Sequence, residues 1–159
     1  MKKVVLSGAG DLGRMRQAIR ALLLSRHWEE ERIGDIVLGL SEIVANCFRH
    51  NGDYIVTVAM TVWRGNLFVS VRSDGYSEDR FHSAVLQVYQ AADKALELAS
   101  TNEENHRGVF LAKVLLCWRH WRLAEGSLAF VIPRDARDVH QAEAIPAAIS
   151  CPLVAGSAA

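Results

Sequence analysis

The sequence predicts a two-layer α/β sandwich: a mixed, mostly antiparallel sheet covered on one face by helices. Three observations carry that expectation. The stretch Asp35–Asn51, DIVLGLSEIVANCFRHN, places Ile36, Val37, Leu40, Ile43, Val44, Cys47 and Phe48 at helical spacing, so they form one broad apolar face. Tyr54–Trp63 and Leu67–Arg72 are rich in Val, Thr, Phe and Trp and flank the tight turn Arg64-Gly65-Asn66, which reads as a hairpin. The whole chain reads strand, helix, helix, hairpin, loop, helix, strand, strand.

In order, Lys3–Ser7 reads as a short strand and Arg14–Ser25 as a helix with Met15, Ile19, Leu22 and Leu23 on one side. Trp28–Arg32 carries three successive glutamates and opens the central helix, where acids suit the positive end of the helix dipole. Gly39 lies inside that helix. Glycine there costs about 0.5–1 kcal/mol relative to alanine, so it often marks a close approach. Ser73–Tyr76 reads as a loop off the second hairpin strand, and Glu78–Ser100 as an amphipathic helix. Val109–Trp118 is a further helix, and Leu128–Ile132 is the last strand. Residues 1–133 are read as one domain, and residues 134–159 as a flexible tail with an Ala-, Pro- and Gly-containing end.

Composition narrows the function classes. The chain has 159 residues and is 50% hydrophobic, which is enough for a domain with a real core. Its formal net charge is zero, which argues, though weakly, against a dedicated nucleic-acid binder. No apolar run reaches the roughly 18 residues of a membrane span, and MKKVVLSGAG lacks the core of a secretory signal. Cys47, Cys117 and Cys151 are odd in number and far apart, so Cys47 and Cys117 read as buried free thiols and the compartment as a reducing cytoplasm.

Two motifs carry chemistry. Glu42, Asn46 and His50 stand four residues apart on a stripe beside the apolar face of the central helix. A solvated polar stripe is the plainer reading of any three such residues. Gly8-Ala9-Gly10-Asp11-Leu12-Gly13 matches G-x-G-x-x-G between a strand and a helix, the fingerprint of a dinucleotide-binding turn. That reading also needs a parallel second strand. The only candidate, Ile36–Ser41, belongs to the longer helical pattern.

The run Ser41-Glu42-Ile43-Val44-Ala45-Asn46-Cys47-Phe48-Arg49-His50 resembles the N box of the GHKL (histidine-kinase-like) ATPases, in particular the anti-sigma-factor serine kinases of bacterial partner-switching systems. The resemblance covers roughly Val4 to Pro133. It implies that Glu42 polarises the attacking group and that Asn46 ligates the Mg2+ bridging the ATP phosphates, with His50 at a position often held by histidine. Both glycine boxes depart from the family pattern. In Val71-Arg72-Ser73-Asp74-Gly75, Gly75 is in register, but Ser73 stands where an aspartate would accept the adenine amino group, and Asp74 is one residue off. A hydrogen bond to a charged group contributes about 1.5–3 kcal/mol, so its loss weakens ATP binding by about ten- to a hundred-fold. In His106-Arg107-Gly108, Gly108 is kept, His106 replaces a glycine, and Arg107 is placed to help with phosphate.

The resemblance therefore implies a regulatory protein acting by protein–protein binding, with weak or lost binding of ATP and Mg2+. The implied partner is a sigma factor or a small antagonist of the STAS type, with no direct nucleic acid and no membrane, and a homodimer stays open. Arg14, Arg16 and Arg20, on a helix that contacts partners in that family, are the expected partner-binding residues. The first alternative is an active ATP-dependent serine/threonine kinase of such an antagonist. The second is a dinucleotide-binding enzyme using Gly8–Gly13.

Overall fold

Alternating burial along the strands decides which side of the sheet is covered. The computed structural model describes residues 1–51, 55–74, 112, 115–117, 119–124 and 127–135. Within them run β1 (Lys2–Leu6), a short 3-10 turn (Ala9–Asp11), α1 (Leu12–Leu24), α2 (Glu30–Asn51), β2 (Val56–Trp63), β3 (Asn66–Ser73), β4 (Arg119–Ala124) and β5 (Ser127–Pro133). The strands form one sheet in the order β1-β2-β3-β5-β4, and every neighbouring pair is antiparallel. The expected mixed sheet is thus purely antiparallel among the described strands.

The reason lies in the connection from β1 to β2. One crossover helix returns the chain to run parallel to the strand it left. Here two helices intervene, so β2 pairs antiparallel with β1, Val4 opposite Val58. This overturns the dinucleotide reading. Ile36–Ser41 lies within α2, so no second parallel strand follows the Gly8–Gly13 turn. Nor do these glycines show the fingerprint's reason for glycine. A Cβ built on Gly8, Gly10 or Gly13 would meet nothing within 4 Å, and none of the three lies in the left-handed region, Gly8 being extended at φ 176.

Inward-facing residues of the sheet join the helices in one core. Val4 and Leu6 of β1, Val56, Val58 and Met60 of β2, Leu67, Val69 and Val71 of β3, and Leu128, Phe130 and Ile132 of β5 are buried. They cluster with Met15, Ile19 and Leu23 of α1 and Ile33, Ile36, Leu40, Val44 and Cys47 of α2. Period 2 in the strands and period 3.6 in the helices meet on one plane, which is the physical content of the two-layer prediction.

Local signals set the ends of elements. Asp11 accepts hydrogen bonds from the Ser7 amide (2.8 Å) and hydroxyl (3.0 Å), which closes the turn so that α1 starts at Leu12, two residues earlier than the sequence implied. Those bonds, the backbone one foremost, hold the Asp11 carboxyl below its usual range. At the other end of α1, Trp28 N–H donates to Leu23 O and His27 N–H to Leu24 O, the paired bonds of a Schellman motif, with His27 at φ 56. The buried side chains of Trp28 and Leu23 accompany it. The hairpin turn is only Arg64 and Gly65, at φ 48 and 76, a type I′ pattern. Asn66 pairs with Trp63 inside the ladder. The Arg64 guanidinium lies 4.4 Å from the Trp63 ring centroid.

The tighter turn brings Asn66 into β3, whereas β2 ends at Trp63 as expected and begins at Val56, with Ile55 outside it. At its other end β3 runs through Ser73, paired with Val56, where the sequence places the start of a loop. Ala112, Leu115 and Leu116 are helical, in line with the expected helix there, but Cys117 at φ 46 ends that segment one residue before Trp118. Cys47 is a buried free thiol as expected, while Cys117 is only partly buried. Cys151, the Glu78–Ser100 helix and the tail beyond Asp135 lie outside the described residues. No described helix is long and apolar enough to cross a membrane.

Candidate functional site

The described part of the candidate site lies on α2 and at the end of β3. On α2, Glu42 and Asn46 are half-buried beside the core face made by Leu40, Val44 and Cys47. His50 continues the helix in backbone. Ser41, immediately before Glu42, is buried, and its hydroxyl donates to the Val37 carbonyl (2.6 Å) while accepting from Arg16 Nε (3.0 Å). That pair of bonds ties α1 to α2 one residue from Glu42. Glu42 forms no ion pair among the described residues. Asn46 differs: its Oδ1, the atom a cation would take, accepts from Arg49 one turn on (3.0 Å).

At the end of β3, Ser73 is only 4% exposed, and its Oγ has no hydrogen-bond partner among the described residues. It shares the helix-covered face of β3 with Val69 and Val71, since alternate residues point to one side. Asp74 lies just beyond the strand. It is exposed, its amide donates to the Ile55 carbonyl (2.9 Å), and its carboxylate pairs with Arg72 at 3.2 Å. Gly75, His106, Arg107 and Gly108 lie outside the described residues.

Arg14, Arg16 and Arg20, the residues expected to meet a partner, are each engaged within the chain. Arg14 pairs with Asp11 (3.2 Å) and donates to the Val5 carbonyl, Arg16 holds Ser41, and Arg20 pairs with Glu30 (3.0 Å). All three residues remain on the exposed side of α1.

Sequence reasoning missed Arg32. It was read with the glutamates at the start of the helix, yet it is 93% removed from solvent, being 7% exposed. Its guanidinium donates to the carbonyls of Leu115, Leu116 (2.9 Å) and Pro133 (3.0 Å). Desolvation lowers its pKa. The signal was available: Arg32 stands four residues before Ile36 and eight before Leu40, on the core face. Gly39 acts with it. A Cβ there would lie 2.7 Å from Leu116 Cγ, so the missing side chain lets the Leu115–Leu116 segment press against α2. Arg32 and Gly39 together dock the end of the segment that follows Gly108 onto the helix bearing Glu42 and Asn46.

Among the described residues, no group of three His, Cys, Asp or Glu side chains could hold a metal by itself.

The curated proteins compared with this chain include no match. A family model described as a histidine kinase-like ATPase domain matches residues 7–122, from the loop after β1 into β4. With most of its length matched, and with paired helices laid on an antiparallel sheet, the chain belongs to the histidine kinase-like ATPase domain family.

Proposed function

We propose that this protein is a regulator that works by binding another protein, and that its nucleotide site is retained in weakened form. The observation that carries this reading is Ser73. In this reading a buried neutral hydroxyl stands where the base would be met, and the carboxylate next to it in the chain, Asp74, is exposed and paired with Arg72. ATP then binds between α2 and the stretches of chain that follow Ser73 and Gly108. Asn46 would hold Mg2+, which supplies charge neutralisation at the phosphates when bound. The chain's own contribution is positioning. The Arg16–Ser41 bond fixes the turn that carries Glu42, and Arg32 with Gly39 holds the Leu115–Leu116 segment against α2.

The partner that fits is a sigma factor or a small STAS-type antagonist, met by the α1 surface with Arg14, Arg16 and Arg20. The setting is the cytoplasm, and the branch is that of the anti-sigma-factor serine kinases. One observation favours the active-kinase alternative. Glu42 is half-buried with no salt bridge among the described residues, as a group that must polarise a hydroxyl should be. Two measurements test the proposal. Calorimetric titration of ATP with Mg2+ should give binding weaker than micromolar, and affinity capture should return a sigma factor or its antagonist. Tight ATP binding with phosphate transfer to the captured antagonist would replace the binding-only reading with the kinase. Capture of metabolic enzymes alone would overturn both.

A further inference from the structure

The hydroxyl at the end of β3 has a consequence for which nucleotide the site takes. Ser73 is 4% exposed and its Oγ is orphaned among the described residues. Its cross-strand partner Val56 and its same-face neighbour Val71 are both fully buried and apolar, so neither offers a side-chain partner. Buried hydroxyls are normally satisfied, and one that is not marks a place where a ligand atom can complete the bond. The hydroxyl can rotate to donate or to accept, whereas an ionised carboxylate only accepts.

We infer that Ser73 removes the discrimination between amino and oxo purines, so that the site takes guanine and hypoxanthine nucleotides about as well as adenine nucleotides. This rests on the proposal that Ser73 stands at the base end of a nucleotide site. An adenine 6-amino group donates to the Ser73 Oγ. A guanine or hypoxanthine 6-oxo group accepts from the same Oγ–H. A carboxylate at this position would repel the oxo group, and Asp74 does not take its place, since Arg72 holds it at the exposed side. Selection against the wrong base needs a group that is left unpaired or repelled by it, and a rotating hydroxyl is neither.

The experiment titrates the full-length chain, with Mg2+ present, with ATP, GTP and ITP separately. ITP isolates the 6-oxo group from the 2-amino group of guanine. The wild type should bind all three within about tenfold of one another. Ser73→Ala should weaken all three together. Ser73→Asp should strengthen ATP and weaken GTP and ITP, moving the ATP-to-ITP ratio by about ten- to a hundred-fold. The wild-type ratio needs no variant, so a Ser73→Asp chain that does not fold leaves the test intact. A wild-type preference for ATP above about a hundredfold, or a Ser73→Ala chain with unchanged affinities, overturns this inference while the nucleotide site stands. Failure of every nucleotide to bind at millimolar concentration overturns the site as well.

Discussion

Replacing Gly39 with alanine probes whether close packing of the Leu116 segment on α2 shapes this protein. A Cβ at position 39 would sit 2.7 Å from Leu116 Cγ, 2.8 Å from Cδ2 and 3.3 Å from Cδ1. Carbon atoms prefer about 3.5–4.0 Å, so Leu116 must move. It has little room, because it is fully buried and its carbonyl is held by Arg32 at 2.9 Å. Overpacking of this kind costs about 1–3 kcal/mol. Alanine's better helix propensity returns about 1 kcal/mol. The net expectation for Gly39→Ala is a loss of about 0–2 kcal/mol.

The same helix holds an internal control. Gly34 is exposed, and a Cβ there meets nothing within 4 Å. Gly34→Ala should therefore show only the propensity term and gain about 0.8–1 kcal/mol. The two variants should separate by about 1–3 kcal/mol, read as a difference in urea midpoint at constant m-value. Adding Leu116→Ala to Gly39→Ala should remove the clash and show favourable coupling in a double-mutant cycle. If both glycine variants stabilise equally, Gly39 is not a contact point, and the account of how α2 and the 115–116 segment are docked fails.

Further expectations follow from single contacts. Arg32→Met leaves the Leu115, Leu116 and Pro133 carbonyls without their shared donor and should cost about 2–4 kcal/mol in urea denaturation, whereas a loss within experimental error would show these bonds to be incidental. Arg49→Ala frees Asn46 Oδ1 and should strengthen Mg2+-dependent nucleotide binding by about two- to tenfold by calorimetry; no change would show that the bond does not compete with the cation. Burial pushes the Cys47 thiol up from its ordinary 9.0 to about 11. The folded chain thus keeps this proton where the unfolded chain loses it, so stability should hold below about pH 9 and fall as pH rises through about 11, by up to about 1.4 kcal/mol per pH unit. Native Cys47 should also resist alkylation at neutral pH, and fast labelling would contradict its burial. Charge reversal at Arg16 and Arg20 should slow association with the captured partner at low salt, and an unchanged rate would place the contact surface elsewhere. Melting curves of the free variants would report separately on the lost Ser41 and Glu30 contacts.

Local periodicity is enough to read most elements of this chain. The apolar face of α2, the β2–β3 hairpin and the final strand are visible because helix and strand periods act within a few residues. The choice between two helices and a strand after the glycine turn was also legible, since Ile36–Ser41 fits the longer helical pattern. The family resemblance came from one contiguous run, Ser41–His50, which a sequence displays whole. Gly39 was legible as a site of close approach, but not its neighbour.

Tertiary structure decided what depends on residues far apart. Leu116 meets Gly39 from 77 positions away, and Arg32 reaches carbonyls 83, 84 and 101 residues along the chain. Periodicity cannot name such partners, because it reports only that a face is buried. The same holds for Ser73. Its place in the sequence showed a missing carboxylate, but only pairing with Val56 made it the end of a strand, and only packing left its hydroxyl buried and without a partner among the described residues. The three arginines of α1 looked free in the sequence, and folding gave each an intramolecular partner. Chain order determines which residues can form an element, whereas the burial and hydrogen bonding of one side chain depend on what the rest of the chain places against it.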